Sequence, residues 1–229
     1  MRLELLQRLN EARAAREAAI VLTDLASGGQ DLLLERQVEA HIEREALETL
    51  LRNGRSGSVE LGGTALFAGV YLPPVKLVCI GAVHISQALA PMARLVGLDV
   101  TIVDPREAFA TTERFQGVDL RAEWPDVALP EIGLDRWSAF CALTHDPKID
   151  DPGLHAALRA GCFYIGALGS RKTHGRRVER LTEAGFAADE IARIHAPIGL
   201  PIGAQSPSEI ALSILSEITA VRRLKPQPR

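Results

Sequence analysis

Apolar residues recur along this chain in two rhythms. In the first 17 residues, leucines at 3, 6 and 9 repeat at helical spacing and predict a helix running to about Glu17. Residues 19–25 (AIVLTDL) have strand character, and Ser27-Gly28-Gly29 turns the chain after them. A second helix is expected over residues 38–52. Glycines at 54, 57, 62 and 63 then punctuate short strands that end in LFAGVYL. Leu72-Pro73-Pro74 is the clearest break, because two prolines stop a helix or a central strand and a new apolar run follows at once. The boundary divides the chain into a small N-terminal α/β domain over 1–72 and a larger domain over 73–229.

Beyond the break, strand and helix patterns alternate. Residues 75–81 (VKLVCIG) form a continuous apolar run, as expected for a strand buried on both faces of a parallel sheet. A helix over 84–97, a strand over 98–104 and a short third strand within 115–121 follow. Residues 138–144 (SAFCALT) and 162–168 (CFYIGAL) read as buried strands separated by a helix over 151–160. Helices are expected over 172–184 and 188–194. Ser206-Pro207-Ser208-Glu209 opens the last helix with a capping box and a proline at its first position. This spacing implies right-handed βαβ units, and hence an α/β fold with a Rossmann-like doubly wound parallel sheet. In such a sheet the working residues lie on loops at the carboxyl ends of the strands.

Composition narrows the class. The 229 residues are 47% hydrophobic with a formal net charge of −3, which excludes a disordered or a nucleic-acid-coating protein and favours a small-molecule or protein partner. The three cysteines, Cys79, Cys141 and Cys162, are odd in number, far apart and set in apolar runs. They read as buried hydrophobes of a reducing compartment. The N-terminal stretch mixes acids into its apolar positions, unlike a signal peptide. No apolar run approaches the roughly 20 residues that span a bilayer. A cytoplasmic protein without stable membrane insertion is expected, with a frayed tail after Arg223.

Three loops and a strand end carry candidate chemistry. Gly81-Ala82-Val83-His84-Ile85-Ser86 stands where a dinucleotide fingerprint stands, after a strand and opening a helix. Only the first of the three glycines is present. Val83 puts a side chain where the second would let backbone approach a pyrophosphate, and Ser86 replaces the third. Asp104 ends the next strand 23 residues after Gly81, near the roughly 20-residue offset at which an acid meets a ribose hydroxyl. Arg106 could instead meet a phosphate, so the pair leaves NAD and NADP open, beside a plain turn. Thr144-His145-Asp146-Pro147 should adjoin the first loop across the switch point. His145 and Asp146 are the acid–base candidates there, although Asp146 before Pro147 reads equally as a helix cap. Gly166, Gly169, Ser170, Arg171 and Lys172 bring glycines, a hydroxyl and two cations to a helix start, which suits an anion cradle or a solvated basic turn. There is no nucleophile elbow, no HExxH, and no histidine pair at metal-ligand spacing on one expected helix.

Three stretches together resemble one family, the xanthine dehydrogenase accessory (XdhC/CoxI-type) proteins. They are GAVHISQALAPMARLVGLDVTIVDPREAFATTERF, LTHDPKIDDPGLHAALRAGCFYIGALGSRKTHGRRVERL and RIHAPIGLPIGAQSPSEIALSILSEI, within about residues 75–222. The resemblance implies a maturation factor that holds the molybdenum cofactor, a phosphate-bearing pterin with a dithiolene-bound metal. Such a factor aids sulfuration by a cysteine desulfurase and passes the cofactor to a molybdenum hydroxylase apo-enzyme. Whether the factor works as a homodimer is left open. The expected cofactor-binding residues are Gly81, Ala82, Val83, His84, Asp104, Arg106, Thr144, Gly166, Gly169, Ser170, Arg171 and Lys172, with no metal ligand set. Two positions depart from the family pattern: Gln37 stands where longer members carry the cysteine of a GGC-type motif, and Val83 where a glycine is usual. The alternatives are an NAD(P)-dependent oxidoreductase, suggested by Gly81 and Asp104, and a non-catalytic interaction module, suggested by Gln37.

Overall fold

The computed structural model describes residues 2–224. The tail expected to fray lies outside the described residues beyond Leu224. The chain divides into two compact units, Met1–Pro73 and Pro74–Arg229.

The first unit contains helix α1 (Leu3–Ala14), strands β1 (Ala19–Asp24) and β2 (Gln30–Leu34), short helix α2 (Glu35–Val38), helix α3 (Arg44–Asn53), and strands β3 (Gly57–Leu61) and β4 (Thr64–Tyr71). The strands form one antiparallel sheet in the order β2-β1-β4-β3. Leu5, Leu9 and Ala12 of α1 pack on Ala19, Val21, Leu32 and Leu34. The helix expected over 38–52 is two pieces, with β2 before them. The Glu43 amide donates to the His41 Nδ1 at 3.0 Å, which closes a turn between α2 and α3 and leaves Ile42 in solvent. Only Leu47 and Leu51 of α3 are buried, so the apolar stripe restarts after that turn.

The second unit runs β5 (Val75–Ile80), α4 (His84–Leu95), β6 (Leu98–Val103), β7 (Asp119–Arg121), α5 (Pro125–Ile132), β8 (Ser138–Ala142), α6 (Pro147–Arg159), β9 (Tyr164–Ala167), α7 (Arg171–Glu183), α8 (Ala188–Ile191), β10 (Ile194–His195) and α9 (Pro207–Arg223). Helix α5 and strand β10 have no counterpart among the expected elements. Six parallel strands pair in the order β10-β9-β8-β5-β6-β7. The order reverses between β5 and β8, where Cys79 lies opposite Cys141. Helices α4 and α9 cover one face around Leu89, Ala93, Ile214 and Ile218. Helices α5 to α8 cover the other around Leu129, Leu154, Leu181 and Ile191. The central strands are buried on both faces, so no side chain on them is free for chemistry. All three cysteines are buried within this core.

Helix α6 approaches the sheet through Gly153. A Cβ built there would stand 2.6 Å from Phe140 Cζ and 3.0 Å from Ile80 Cγ1. In an exposed helix, Gly→Ala gains stability. Here the added methyl overpacks the contact that sets the start of α6, and Gly153→Ala is expected to lower unfolding stability by about 1–3 kcal/mol. Urea denaturation checks this, and a gain in stability would show that α6 has room to move off the sheet.

Candidate functional site

The loops at the carboxyl ends of β5, β6 and β8 meet at the point where strand order reverses. Gly81 has φ +115°, and a Cβ there would lie 2.9 Å from Thr144 Cγ2, so the β5 and β8 loops touch through a glycine that no other residue replaces without strain.

The first loop is engaged with the protein itself. The Ala82 amide donates to Asp104 Oδ2 at 2.8 Å, and the Val83 amide donates to Ser86 Oγ at 2.9 Å. Ser86 in turn donates toward the carbonyls of Gly81 and Val83. Asp104 is fully buried. It also accepts two bonds from the Arg106 guanidinium, at 2.9 and 2.8 Å, and one from the Arg106 amide at 3.0 Å. Burial alone would raise the Asp104 carboxyl, but these hydrogen bonds more than offset it and hold the group below the ordinary carboxylate range. Arg106 lies over the Phe109 ring at 4.5 Å. The ribose role expected of Asp104 therefore does not fit: its oxygens already hold Ala82 and Arg106, and Arg106 is held by it in return. Two amides and one carboxylate that a dinucleotide would need are occupied internally.

The β8 loop is built on a buried acid that the strand and helix pattern does not single out. Asp150, in the first turn of α6, accepts from Thr144 N–H at 3.2 Å, Thr144 Oγ1 at 2.8 Å and His145 N–H at 3.0 Å. Burial raises its carboxyl pKa against the opposing pull of these bonds and of Arg177. The clamp holds His145 at φ +66°, a left-handed conformation uncommon outside glycine, with its side chain exposed. Asp146 is the N-cap of α6, with Oδ1 accepting the Lys148 amide at 3.0 Å. Of the two acid–base candidates, Asp146 thus takes the helix-cap alternative, and His145 stands free at the rim.

The glycine-rich turn after β9 divides in the same way. Gly166 is not a cradle residue: it lies inside β9, where a Cβ would meet Ile198 at 2.5 Å, so its small size serves packing. Gly169, at φ +131°, makes the turn. Ser170 caps α7 by accepting the Thr173 amide at 3.2 Å. Arg171 is exposed, whereas Lys172 lines a cavity of about 460 Å³ between α6 and α7, with His145, Asp150, Asp151, Thr173, Arg176, Arg177 and Arg180. Arg177 is 2% exposed. Its Nη2 donates to the Leu168 carbonyl at 2.9 Å, while its Nε and Nη1 meet no acceptor among the described residues. A signal for Arg177 is present in the sequence, because Arg177 and Leu181 share the buried stripe of α7 at i, i+4 spacing. His84 is the first residue of α4 and is exposed. Among the described residues no cluster of His, Cys, Asp and Glu could hold a metal, and no helix is long and apolar enough to cross a membrane.

The model of a family described as the XdhC Rossmann domain matches residues 77–218. In Escherichia coli K12, the uncharacterized protein YqeB is 33% identical over 181 residues, 77% of this chain and 33% of that protein. The molybdenum cofactor insertion chaperone PaoD of the same organism is 33% identical over 152 residues, 66% of this chain and 42% of its own length. A probable xanthine dehydrogenase subunit of Bacillus subtilis is 30% identical over 161 residues, 70% of this chain and 47% of that protein. The chain thus spans between a third and a half of the curated relatives it matches. A crystal structure of a xanthine dehydrogenase from Bacillus halodurans superposes with a TM-score of 0.67 at 22% identity, over 98% of this chain and 65% of that one, a likeness of fold.

Two outcomes are expected at the loops. His145→Gly relieves the left-handed strain and should raise unfolding stability by up to about 1 kcal/mol, whereas an active-site histidine in relaxed backbone would show no gain. Asp104→Asn should cost about 1.5–3 kcal/mol at neutral pH. Because the folded-state pKa of Asp104 is depressed, its contribution is present above the ordinary value near about 4 and is lost as pH falls below it. Urea midpoints measured across that range should fall steeply in the parent and less so in the variant. Parallel curves would assign the acid sensitivity to other carboxylates.

Proposed function

The chain belongs to the XdhC family, and on that premise we propose that it is a maturation factor that holds the molybdenum cofactor and delivers it to a molybdenum hydroxylase apo-enzyme. The observation that carries this reading is the 33% identity with PaoD, a molybdenum cofactor insertion chaperone, over two thirds of this chain. The site chemistry is compatible. The cofactor's phosphate is an anion, and the residues present fit it: Arg177 has buried N–H groups without an acceptor among the described residues, and Lys172 lines the same cavity. Bound there, the cofactor would supply the metal and sulfur chemistry of the recipient enzyme. The chain's own part is to hold the anionic end, to keep Gly81 against Thr144, and to present His145 at the rim.

The same residues limit what this chain does to sulfur. Cys79, Cys141 and Cys162 are fully buried, and burial pushes the Cys141 and Cys162 thiols up, away from the reactive thiolate. Gln37, which stands where the family pattern has a cysteine, is engaged locally: its Oε1 accepts the Leu34 amide at 2.8 Å. We therefore assign sulfur transfer to a cysteine desulfurase acting on the held cofactor, with no persulfide relay through this sequence. A dinucleotide-dependent oxidoreductase is disfavoured by the occupied Ala82, Val83 and Asp104.

Purification from a host that makes the cofactor tests the reading. Oxidised extracts should release a fluorescent pterin together with molybdenum. His145→Ala should retain that pterin and fold normally while activating the hydroxylase less well. Protein devoid of pterin would sink the proposal, and full activation by His145→Ala would remove the histidine from it.

A further inference from the structure

We infer that the cavity between α6 and α7 is a binding site for a phosphate group, with Arg177 as its buried anchor and Lys172 and Arg176 at its mouth. Buried polar groups are almost always hydrogen-bonded, and a buried guanidinium without an anion is costly. Arg177 is 2% exposed, yet only Nη2 has a protein acceptor, the Leu168 carbonyl. Its Nε and Nη1 have none among the described residues, and the residue lines a cavity of about 460 Å³.

The acids nearby do not satisfy those donors. Asp151 holds Arg180 through two bonds, at 2.5 and 3.0 Å. Asp150 holds Thr144 and His145. With those carboxylates engaged, the lining carries four cations, Lys172, Arg176, Arg177 and Arg180, against two acids. Lys172 and Arg176 are exposed and one turn apart on α7. A guanidinium with two nitrogens short of an acceptor calls for an anion, and the excess of cations in the lining, with ammonium and guanidinium groups at the entrance, favours a doubly charged phosphate over a singly charged or neutral ligand. Burial lowers the Arg177 pKa and the two aspartates oppose that, as expected of a cation that a bound anion would stabilise.

This site relocates the anion cradle expected from the glycine-rich turn. That expectation named Gly166, Gly169, Ser170, Arg171 and Lys172; of these only Lys172 lines the cavity, and the anchor lies a turn and a half further along α7. What carries the phosphate is a separate matter. It is either free phosphate or the phosphate-ester end of a larger ligand, and identifying it with the cofactor's phosphate rests on the function proposed above.

The test uses the full chain purified free of pterin, titrated at low ionic strength with inorganic phosphate and with ribose 5-phosphate, by calorimetry and ³¹P NMR. The parent should bind at least one of them with millimolar affinity or better. Lys172→Ala combined with Arg176→Ala changes only exposed side chains and should weaken binding by about tenfold or more. Arg177→Lys keeps the charge but loses the planar guanidinium and its several donors, and should abolish binding in protein whose circular dichroism is unchanged. Tighter binding of the ester assigns the site to the end of a larger ligand, and preference for inorganic phosphate assigns it to the free ion. No binding by the parent, or equal binding by the double variant, overturns the site. Pterin content of the same variants, prepared from a cofactor-producing host, separates the two claims. Phosphate binding without pterin leaves the site standing and removes the cofactor, whereas pterin retained equally by parent and double variant removes the cofactor's phosphate from this pocket.

Discussion

Three turns at the carboxyl edge of the parallel sheet are each held by a carboxylate from elsewhere in the chain. Asp104, just past β6, takes the Ala82 amide of the β5 loop. Asp150, from α6, takes the amides of Thr144 and His145 after β8. Glu217, from α9, takes the Gly199 amide, the Tyr164 hydroxyl and His195 Nδ1 around β10. A strand leaving a buried sheet exposes amides that have lost their ladder partners, and an unpaired buried amide costs about 1–3 kcal/mol. Three acids on three elements resolve that problem, and in doing so they fix which loop atoms remain available to a ligand.

That constraint explains why a Rossmann topology here need not bind a dinucleotide. In the dinucleotide-binding version, the first loop's amides face the pyrophosphate and the acid after the second strand faces the ribose. Here the two groups face each other, joined Ala82 to Asp104 Oδ2, and the Arg106 guanidinium closes both carboxylate oxygens. The same sequence positions are turned inward to make a rigid corner. The open chemistry shifts along the edge to the β8 and β9 loops, where His145 and the α6–α7 cavity lie. Fold alone does not name the ligand; the hydrogen-bond partners of these two loops count against a dinucleotide.

The strands were legible because burial on both faces leaves a continuous apolar signature, and β5, β6, β8 and β9 fall within a few residues of their expected spans. The short strand expected within 115–121 is β7, but β10 has two residues, too few for any period to register. Helix α5 begins at Pro125 and holds a second proline, so its pattern reads as a loop. The turn at His41 was hidden because a ring nitrogen accepting a backbone amide leaves no trace in hydrophobic periodicity. At the site, loop position was readable and the function of each residue was not. Asp104, Asp146, Ser170 and Gly166 all sit near where they were expected, yet they serve as clamp, two caps and a packing gap. A polar residue at a strand end has the same sequence signature whether it faces a ligand or its own backbone, and only the partner's position distinguishes the two.

Arg177 presents the opposite case: its spacing from Leu181 places it on the buried stripe of α7, and tertiary burial gives that position its meaning. On an isolated α7 it would be one more solvated cation in the run from Arg171 and Lys172 to Arg180. Packing of α6 against the sheet through Gly153 fixes where the start of that helix lies, and Asp150 and Asp151 come with it. Asp151 then draws Arg180 aside, and Asp150 is tied down by the strand-end loop. The cation between them is left enclosed and short of acceptors. The clamp that strains His145 and the unmet donors of Arg177 are thus two faces of one arrangement, because the acid that could have neutralised Arg177 is engaged in holding the histidine at the rim.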